Sequence, residues 1–371
     1  MKRGDMMLST DVGTGFPGIR EFTRVDVANH LATRAEADYP EGLVARLREL
    51  DVFGANIPQE YGGLELGSAD VASLSYDLAR GWQSLASLVG THLKLNREVL
   101  RSGTPHQKET LLPAMATGRH ICARAYHEKG RNDPELLRTS VEYRGSIGVL
   151  NGHKDWVTNA RHADRVFAIA RGGDQTLAII VDPQRPGVHI GDELPRPGML
   201  GVSLAEITFV DYEFDPDRDV LGGRGHDVTD SIRAHDMSTY VTRALASADV
   251  VSAWAVQFVR DSAGRRRPDV QGAINLRVGE LSIRVSAMRA VWHEIISSSG
   301  RISADEAKVF CSTTLHDVIR AAVVLCGGAG YAGSDSTLSR HYRDALALQV
   351  VGAPNDALLS RVGAQALASA D

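Results

Sequence analysis

Leu150-Asn151-Gly152-His153-Lys154-Asp155-Trp156-Val157-Thr158-Asn159-Ala160 lies near the middle of a 371-residue chain. From about Ile121 to Gly223, around this stretch, short apolar runs (Val166–Ala170, Leu177–Val181, Glu206–Val210) alternate with Gly, Pro, Asp and Asn clusters. That is the pattern of strands joined by turns. Upstream, from about Phe22 to Gly118, apolar residues recur at helical spacing, as in Leu43, Val44, Leu47 and Leu50 and in Val71, Leu74 and Leu78. The turn-rich Pro58-Gln59-Glu60-Tyr61-Gly62-Gly63 breaks this part as a loop. Downstream of about Val228, long periodic stretches return: Val250, Val251, Trp254 and Phe258, then Leu276, Val278, Leu281, Val285, Met288, Val291 and Trp292, then Ala307, Val318, Ile319, Ala322 and Val323. The expected fold is α+β, with an N-terminal helical domain over residues 1–119, a middle β domain over 120–224 and a C-terminal four-helix bundle over 225–371. Gly327-Gly328-Ala329-Gly330 interrupts the bundle. It is too rich in glycine for a helix interior and suits close approach of another backbone or a phosphate.

The composition supports a core of this size. At 40.0 kDa the chain exceeds the usual single core, so several packed layers are expected. Apolar residues at 43% and charged residues at 23% rule out wholesale disorder, a collagenous chain and a coiled coil. A net charge of −5 gives no basic field for nucleic acid or anionic lipid. The one basic run, Arg265-Arg266-Arg267, suits either a solvated loop or a local phosphate contact. Cys122, Cys311 and Cys326 are far apart and odd in number, which argues against a disulfide framework and for a reducing cytoplasm. Gly4-Asp5 and Ser9-Thr10-Asp11 interrupt any leader-like apolar region, and no run approaches the roughly 18–20 apolar residues of a spanning helix, so no membrane is expected. His92, His120, His127, His153 and His162 are scattered without i, i+4 pairing or acidic partners at ligand spacing, so no metal is expected. No phosphate-binding G-x-x-x-x-G-K-[ST] string is present.

The order α, β, α resembles the acyl-CoA dehydrogenase family, and local strings from about residue 45 to the end carry the resemblance in unbroken order. Ile57–Gly63 looks like the family's first-domain turn. Leu150–Ala160, followed by Ala163-Asp164 and Ala170-Arg171, is close to its β-domain signature. Gly198-Met199-Leu200-Gly201 ahead of Ile207–Val210 and Val220-Leu221-Gly222 resembles its domain-closing strand and loop, while Gly327-Gly328 and Arg340-His341-Tyr342-Arg343-Asp344 match its glycine pair and R-x-x-R-D segment. The resemblance implies an FAD between the β domain and the bundle, an acyl thioester against the flavin, a carboxylate that removes an α proton, and hydride transfer to the flavin.

Carried over position by position, the resemblance is uneven. Trp156-Val157-Thr158 keeps the family's W-[IV]-[TS], in which the Trp covers the flavin ring and the hydroxyl hydrogen-bonds it; a core Trp at a β turn is the plainer alternative. The family's [TS]-E-P-x-A-G-S-D loop falls on Ala125–Asn132 and retains only Gly130. Ala125 stands at a flavin-contact position without the usual hydroxyl, and Arg131 stands where a serine meets the acyl carrier. An Arg there could pair a carboxylate or phosphate on an unusual substrate, or be solvated. The R-x-x-F-G-x-P loop falls on Ser262–Pro268, where Arg265 could restore the phosphate charge. Val324 replaces a glutamine, so an adenine-side hydrogen bond is missing, while Gly327 and Gly328 are kept. The commonest catalytic Glu falls on Gly352, followed by Ala353 and Pro354, and glycine accepts no proton. The alternative base position of branched-chain and long-chain members falls on Asp236, beside His235; either could act as a base, or the string Ala234–Ser238 could simply start a helix.

Two functions follow. The first is a divergent acyl-CoA dehydrogenase-like flavoenzyme acting on an acyl thioester of coenzyme A or a carrier protein, in a specialised biosynthetic pathway. The second is a flavin-free or catalytically redirected member, performing a non-redox reaction or serving as a subunit of a hetero-oligomer. The resemblance implies a homodimer or tetramer, with a heteromer containing a homologous subunit as the alternative.

Overall fold

The protein is described by a computed structural model that covers residues 16, 18–131, 133–233, 237–262, 270–298, 300–332 and 337–368. His235, Asp236 and Arg265 lie outside the described residues.

The N-terminal part is helical. Helix α1 (Ile19–Phe22) passes through a π-helical turn, Thr23–Val27, into α2 (Ala28–Thr33), followed by α3 (Glu41–Glu49), α4 (Ser68–Gly81), α5 (Gln83–Ser102) and α6 (Pro105–Ala116). Trp82 separates α4 from α5 in an extended conformation and is fully buried. Helix α6 starts on a reciprocal cap between Thr104 and Gln107, with Pro105 as its first residue. The turn-rich segment at 58–63 forms the expected loop, with one 3-10 turn at Gln59–Tyr61.

A seven-stranded sheet follows: β1 (Cys122–Ala125), β2 (Ser140–Arg144), β3 (Ile147–Thr158), β4 (Arg165–Gly172), β5 (Gln175–Val181), β6 (Val188–Ile190) and β7 (Leu204–Phe214). The spatial order is β1-β4-β2-β3-β7-β6, with β5 also on β4. Strand β1 runs parallel to β4, and β3 lies antiparallel between β2 and β7. The near-continuous apolar strands β4 and β5 are buried on both faces: one face joins the β core, and the other packs on Leu95, Val99, Leu112 and Met115 of α5 and α6.

Short helices α7 (Pro216–Asp219) and α8 (Thr229–Arg233) lead to the C-terminal bundle of α9 (Ser238–Asp261), α10 (Gln271–Ile296), α11 (Ala304–Cys326), α12 (Gly328–Ala332), α13 (Thr337–Leu348) and α14 (Asn355–Ala368). Helix α9 packs on α4, α10, α11 and α13. The core face of α10 runs through Leu281, Val285, Met288 and Trp292, whereas Leu276 and Ile283 are exposed, so the periodic stretch overstates its buried stripe at Leu276. Helix α11 is long and apolar enough to cross a membrane by composition; it is the central helix of the bundle, starting on a Ser303–Glu306 cap. The glycine run is less irregular than expected. Gly327 ends α11 at φ 60°, a conformation open to glycine, and the chain re-enters a helix as α12.

The R-x-x-R-D segment joins the three parts. The Asp344 carboxylate accepts a 2.6 Å hydrogen bond from the Met199 amide, and Arg343 pairs with Glu36. Gly198 lies so close to Arg343 that a Cβ would fall 2.4 Å from its carbonyl carbon. Tyr39 stacks on His162 with ring centres 3.6 Å apart. The β domain is thereby fixed against both helical parts.

Candidate functional site

The site begins with a fault in the sheet. Along β3 and β7 the pairing shifts between Lys154↔Ile207 and Val157↔Ala205, so Asp155 and Trp156 together oppose a single residue. This is a β-bulge, a device that re-aims one side chain. Trp156 occupies it at φ 53°, left-handed backbone that a bulky residue adopts only under constraint, and its indole is 49% exposed. The plainer expectation of a core Trp is therefore corrected: the bulge turns the ring out of the core. Thr158, two residues on, is half-buried at the end of the same strand.

The loop after β1 is fastened to this bulge. The Asp155 amide donates to the His127 carbonyl at 2.9 Å, and the Lys129 amide donates to the Asp155 carboxylate at 2.7 Å. Beneath them Lys154, fully buried, reaches the Tyr126 carbonyl at 3.0 Å and Glu128 Oε1 at 2.9 Å. Glu128 also accepts from the Arg138 and Thr139 amides at 2.7 and 3.0 Å. Burial works against the Glu128 charge, but the Lys154 ammonium and these amides outweigh it and hold the carboxyl down at about 2. Burial also draws Lys154 down to about 8, which leaves it charged at neutral pH. Sequence reasoning missed this pair; its one signal was a lysine among the apolar residues of a strand.

The structure thus ties the segment between Ala125 and Arg131 to the bulge that carries Trp156. Ala125 is fully buried and offers no hydroxyl. Arg131 is half-buried, its amide donates to the Glu128 carbonyl, and its Nη1 donates to the Leu136 carbonyl at 3.1 Å. Gly327 and Gly328 stand apart from this group, at the α11–α12 junction, and a Cβ on either would meet nothing within 4 Å. Val324, one turn before them, is 58% exposed. Ser262 is buried and hydrogen-bonds the carbonyl of Phe258, its own preceding turn.

The segment carrying Gly352 is held by a second buried lysine. Lys308 Nζ donates to the carbonyls of Ala353 (2.8 Å) and Gln349 (3.4 Å) and to Asn355 Oδ1 (2.7 Å), and burial lowers its pKa to about 8. Gly352 sits at φ 78° against the Tyr240 ring. On another face of α9, Thr239 and Thr242 line a cavity of about 470 Å³ between α4, α5, α9 and residues 294–304. Val71, Leu74, Leu78, Val89, Leu93 and Ile302 make it mainly apolar, and its volume is within the range of small-molecule pockets.

One histidine has acidic neighbours that spacing did not reveal. His153 Nε2 lies 3.6 Å from Asp155 and 3.8 Å from Glu206, and its Nδ1 is 2.9 Å from the Thr208 hydroxyl. His153 is exposed, Glu206 half-buried and Asp155 buried, and the three cluster beside the bulge.

A helical part, a β domain and a helical bundle, joined through the R-x-x-R-D segment, define the three-part acyl-CoA dehydrogenase fold. The family's N-terminal, middle and C-terminal domain models match residues 18–119, 127–212 and 227–367, and the chain belongs to the acyl-CoA dehydrogenase family. Among solved structures it is similar to butyryl-CoA dehydrogenase from Megasphaera elsdenii, at 22% identity and a TM-score of 0.87 over 98% of this chain and 100% of that one. The prolyl acyl carrier protein oxidase AnaB matches at 19% identity and 0.85, over 97% of this chain and 99% of that one. A glutaryl-CoA dehydrogenase from Mycobacterium smegmatis in complex with FADH2 matches at 17% and 0.83, over 97% and 95%. At these identities the likeness is one of fold.

Proposed function

We infer that the protein is a divergent acyl-CoA dehydrogenase-like oxidoreductase acting on an acyl thioester of coenzyme A or a carrier protein. The observation that carries this reading is Trp156: a large apolar ring held half-exposed on a strained bulge, two residues before Thr158, is a shelf for a planar ring. The residues present fit FAD at that end, and Gly327 and Gly328 leave open backbone for a diphosphate, with Arg265 as its counter-charge. Bound there, FAD supplies the two-electron acceptor that desaturation requires.

The chain's own residues do the rest. The Lys154–Glu128 pair fixes the loop that presents Arg131 and leaves that guanidinium available to a carboxylate or to the phosphate of an acyl carrier. With no carboxylate at Gly352, Asp236 or His235 removes the proton at the α carbon. The apolar cavity beside Thr239 and Thr242 takes the acyl chain. A cytoplasmic homodimer or tetramer is the proposed assembly, with exposed Leu276 and Ile283 on its contact face.

Ala125, Val324 and Gly352 favour a second reading, a member with redirected or flavin-free chemistry that is completed by a homologous subunit. Replacing Asp236 with Asn in flavin-loaded protein separates the two. The first reading expects bleaching of the flavin by a CoA thioester in the wild type and a loss of at least about 100-fold in its rate in the variant. Unchanged reduction removes Asp236 from the mechanism, and a wild type that no thioester reduces favours the second reading.

A further inference from the structure

A Cβ built on Gly352 would lie 2.5 Å from Cε2 of Tyr240, 2.9 Å from its Cζ and 3.2 Å from its Cδ2. No side chain fits at 352 while the ring is there. The positive φ of Gly352 disfavours every other residue as well. The segment cannot easily retreat, because Lys308 grips the carbonyls on both sides of Gly352 and Asn355 is tied to Ser312 and Gln349. Nor is Tyr240 on a loose element: it lies in the first turn of α9, its amide bonded to the Met237 carbonyl at 3.0 Å. An aromatic ring has thus taken the volume where a side chain at 352 would stand.

Resting on the thioester reading above, the geometry points to Tyr240 as the residue that sets acyl selectivity at the reacting end of the site. Its ring restricts substituents on the carbons next to the thioester, so the site takes a straight acyl group and rejects one branched at the α carbon. A single methyl against a filled wall is worth about 10- to 200-fold in discrimination.

The test is calorimetric titration of the holoprotein with butyryl-CoA and isobutyryl-CoA. Wild type is expected to prefer butyryl-CoA by at least about 10-fold, Tyr240→Phe to keep that preference, and Tyr240→Ala to lose most of it. Tyr240→Leu serves if the Ala variant does not fold. In parallel, Gly352→Ala should lower the melting temperature of wild type more than that of the Tyr240→Ala or Tyr240→Leu protein, since the clash is relieved there. Binding of both esters with a preference that Tyr240→Ala leaves unchanged overturns this assignment alone. Binding of neither ester by wild type overturns the thioester reading and the assignment with it. An equal penalty from Gly352→Ala in both backgrounds shows that the ring does not fill this space.

Discussion

Replacing Glu128 with Gln should destabilise the protein strongly, although Glu128 lies on a loop, because it is buried. Lys154 is fully buried, and its ammonium has one carboxylate partner, Glu128 at 2.9 Å, besides the Tyr126 carbonyl. The variant keeps one oxygen, so one of the Arg138 and Thr139 amides, which donate to different oxygens of Glu128, loses its acceptor, and the ammonium is left with only the Asp155 carboxylate as a counter-charge. Breaking one side of such a pair costs about 3–5 kcal/mol, a large share of the ~5–15 kcal/mol that holds a folded protein together. The pH dependence gives the same scale. Glu128 is held at about 2 against an ordinary value of 4.5, which corresponds to roughly 3 kcal/mol of stability, present above pH 4.5 and lost as pH falls towards 2. Lys154→Met with Glu128→Gln removes both charges and should recover much of the loss. The assay is urea unfolding of wild type, both single variants and the double variant, followed by tryptophan fluorescence at pH 7. A Glu128→Gln cost below about 1 kcal/mol, or costs that simply add in the double variant, would refute the claim that a buried pair anchors the bulge.

Trp156→Ala should weaken FAD binding: covering half of a roughly 200 Å² ring at ~25 cal/mol per Å² gives ~2.5 kcal/mol, about 50- to 100-fold in the dissociation constant, read by quenching of flavin fluorescence. Gly90→Leu should fill the cavity between α5 and α9, where a Cβ already comes within 3.4 Å of Thr239 Cγ2; binding of octanoyl-CoA should fall at least about 10-fold more than that of butyryl-CoA. Asp344 is pushed up to about 6, chiefly by burial, so its contribution is largest when protonated and is lost as pH rises from 3.8 through 6. Asp344→Asn, which keeps an acceptor for the Met199 amide, should therefore raise the melting temperature at pH 7 and leave it nearly unchanged at pH 4.

The three-part fold was legible because periodicity changes at both edges of the β segment, and because Trp156-Val157-Thr158 and R-x-x-R-D are strings whose residue types are rarely interchangeable. Trp156's exposure was not legible: it depends on a bulge that offsets β3 from β7, and one-dimensional spacing does not reveal register. Lys154 and Glu128 escaped notice because their pairing joins residues 26 apart. Gly352 was read as the loss of a base, yet the ring that fills its place comes from α9, more than a hundred residues earlier in the chain. Leu276 was counted with the core of α10 because periodicity marks an apolar stripe without saying what covers it.

The central claim, that Trp156 shelves a flavin in this chain, is tested most directly by purifying the protein alone under reducing conditions, recording its visible absorption spectrum and quantifying the flavin released on denaturation. The account predicts near-stoichiometric FAD. A colourless protein that also fails to take up added FAD would contradict it.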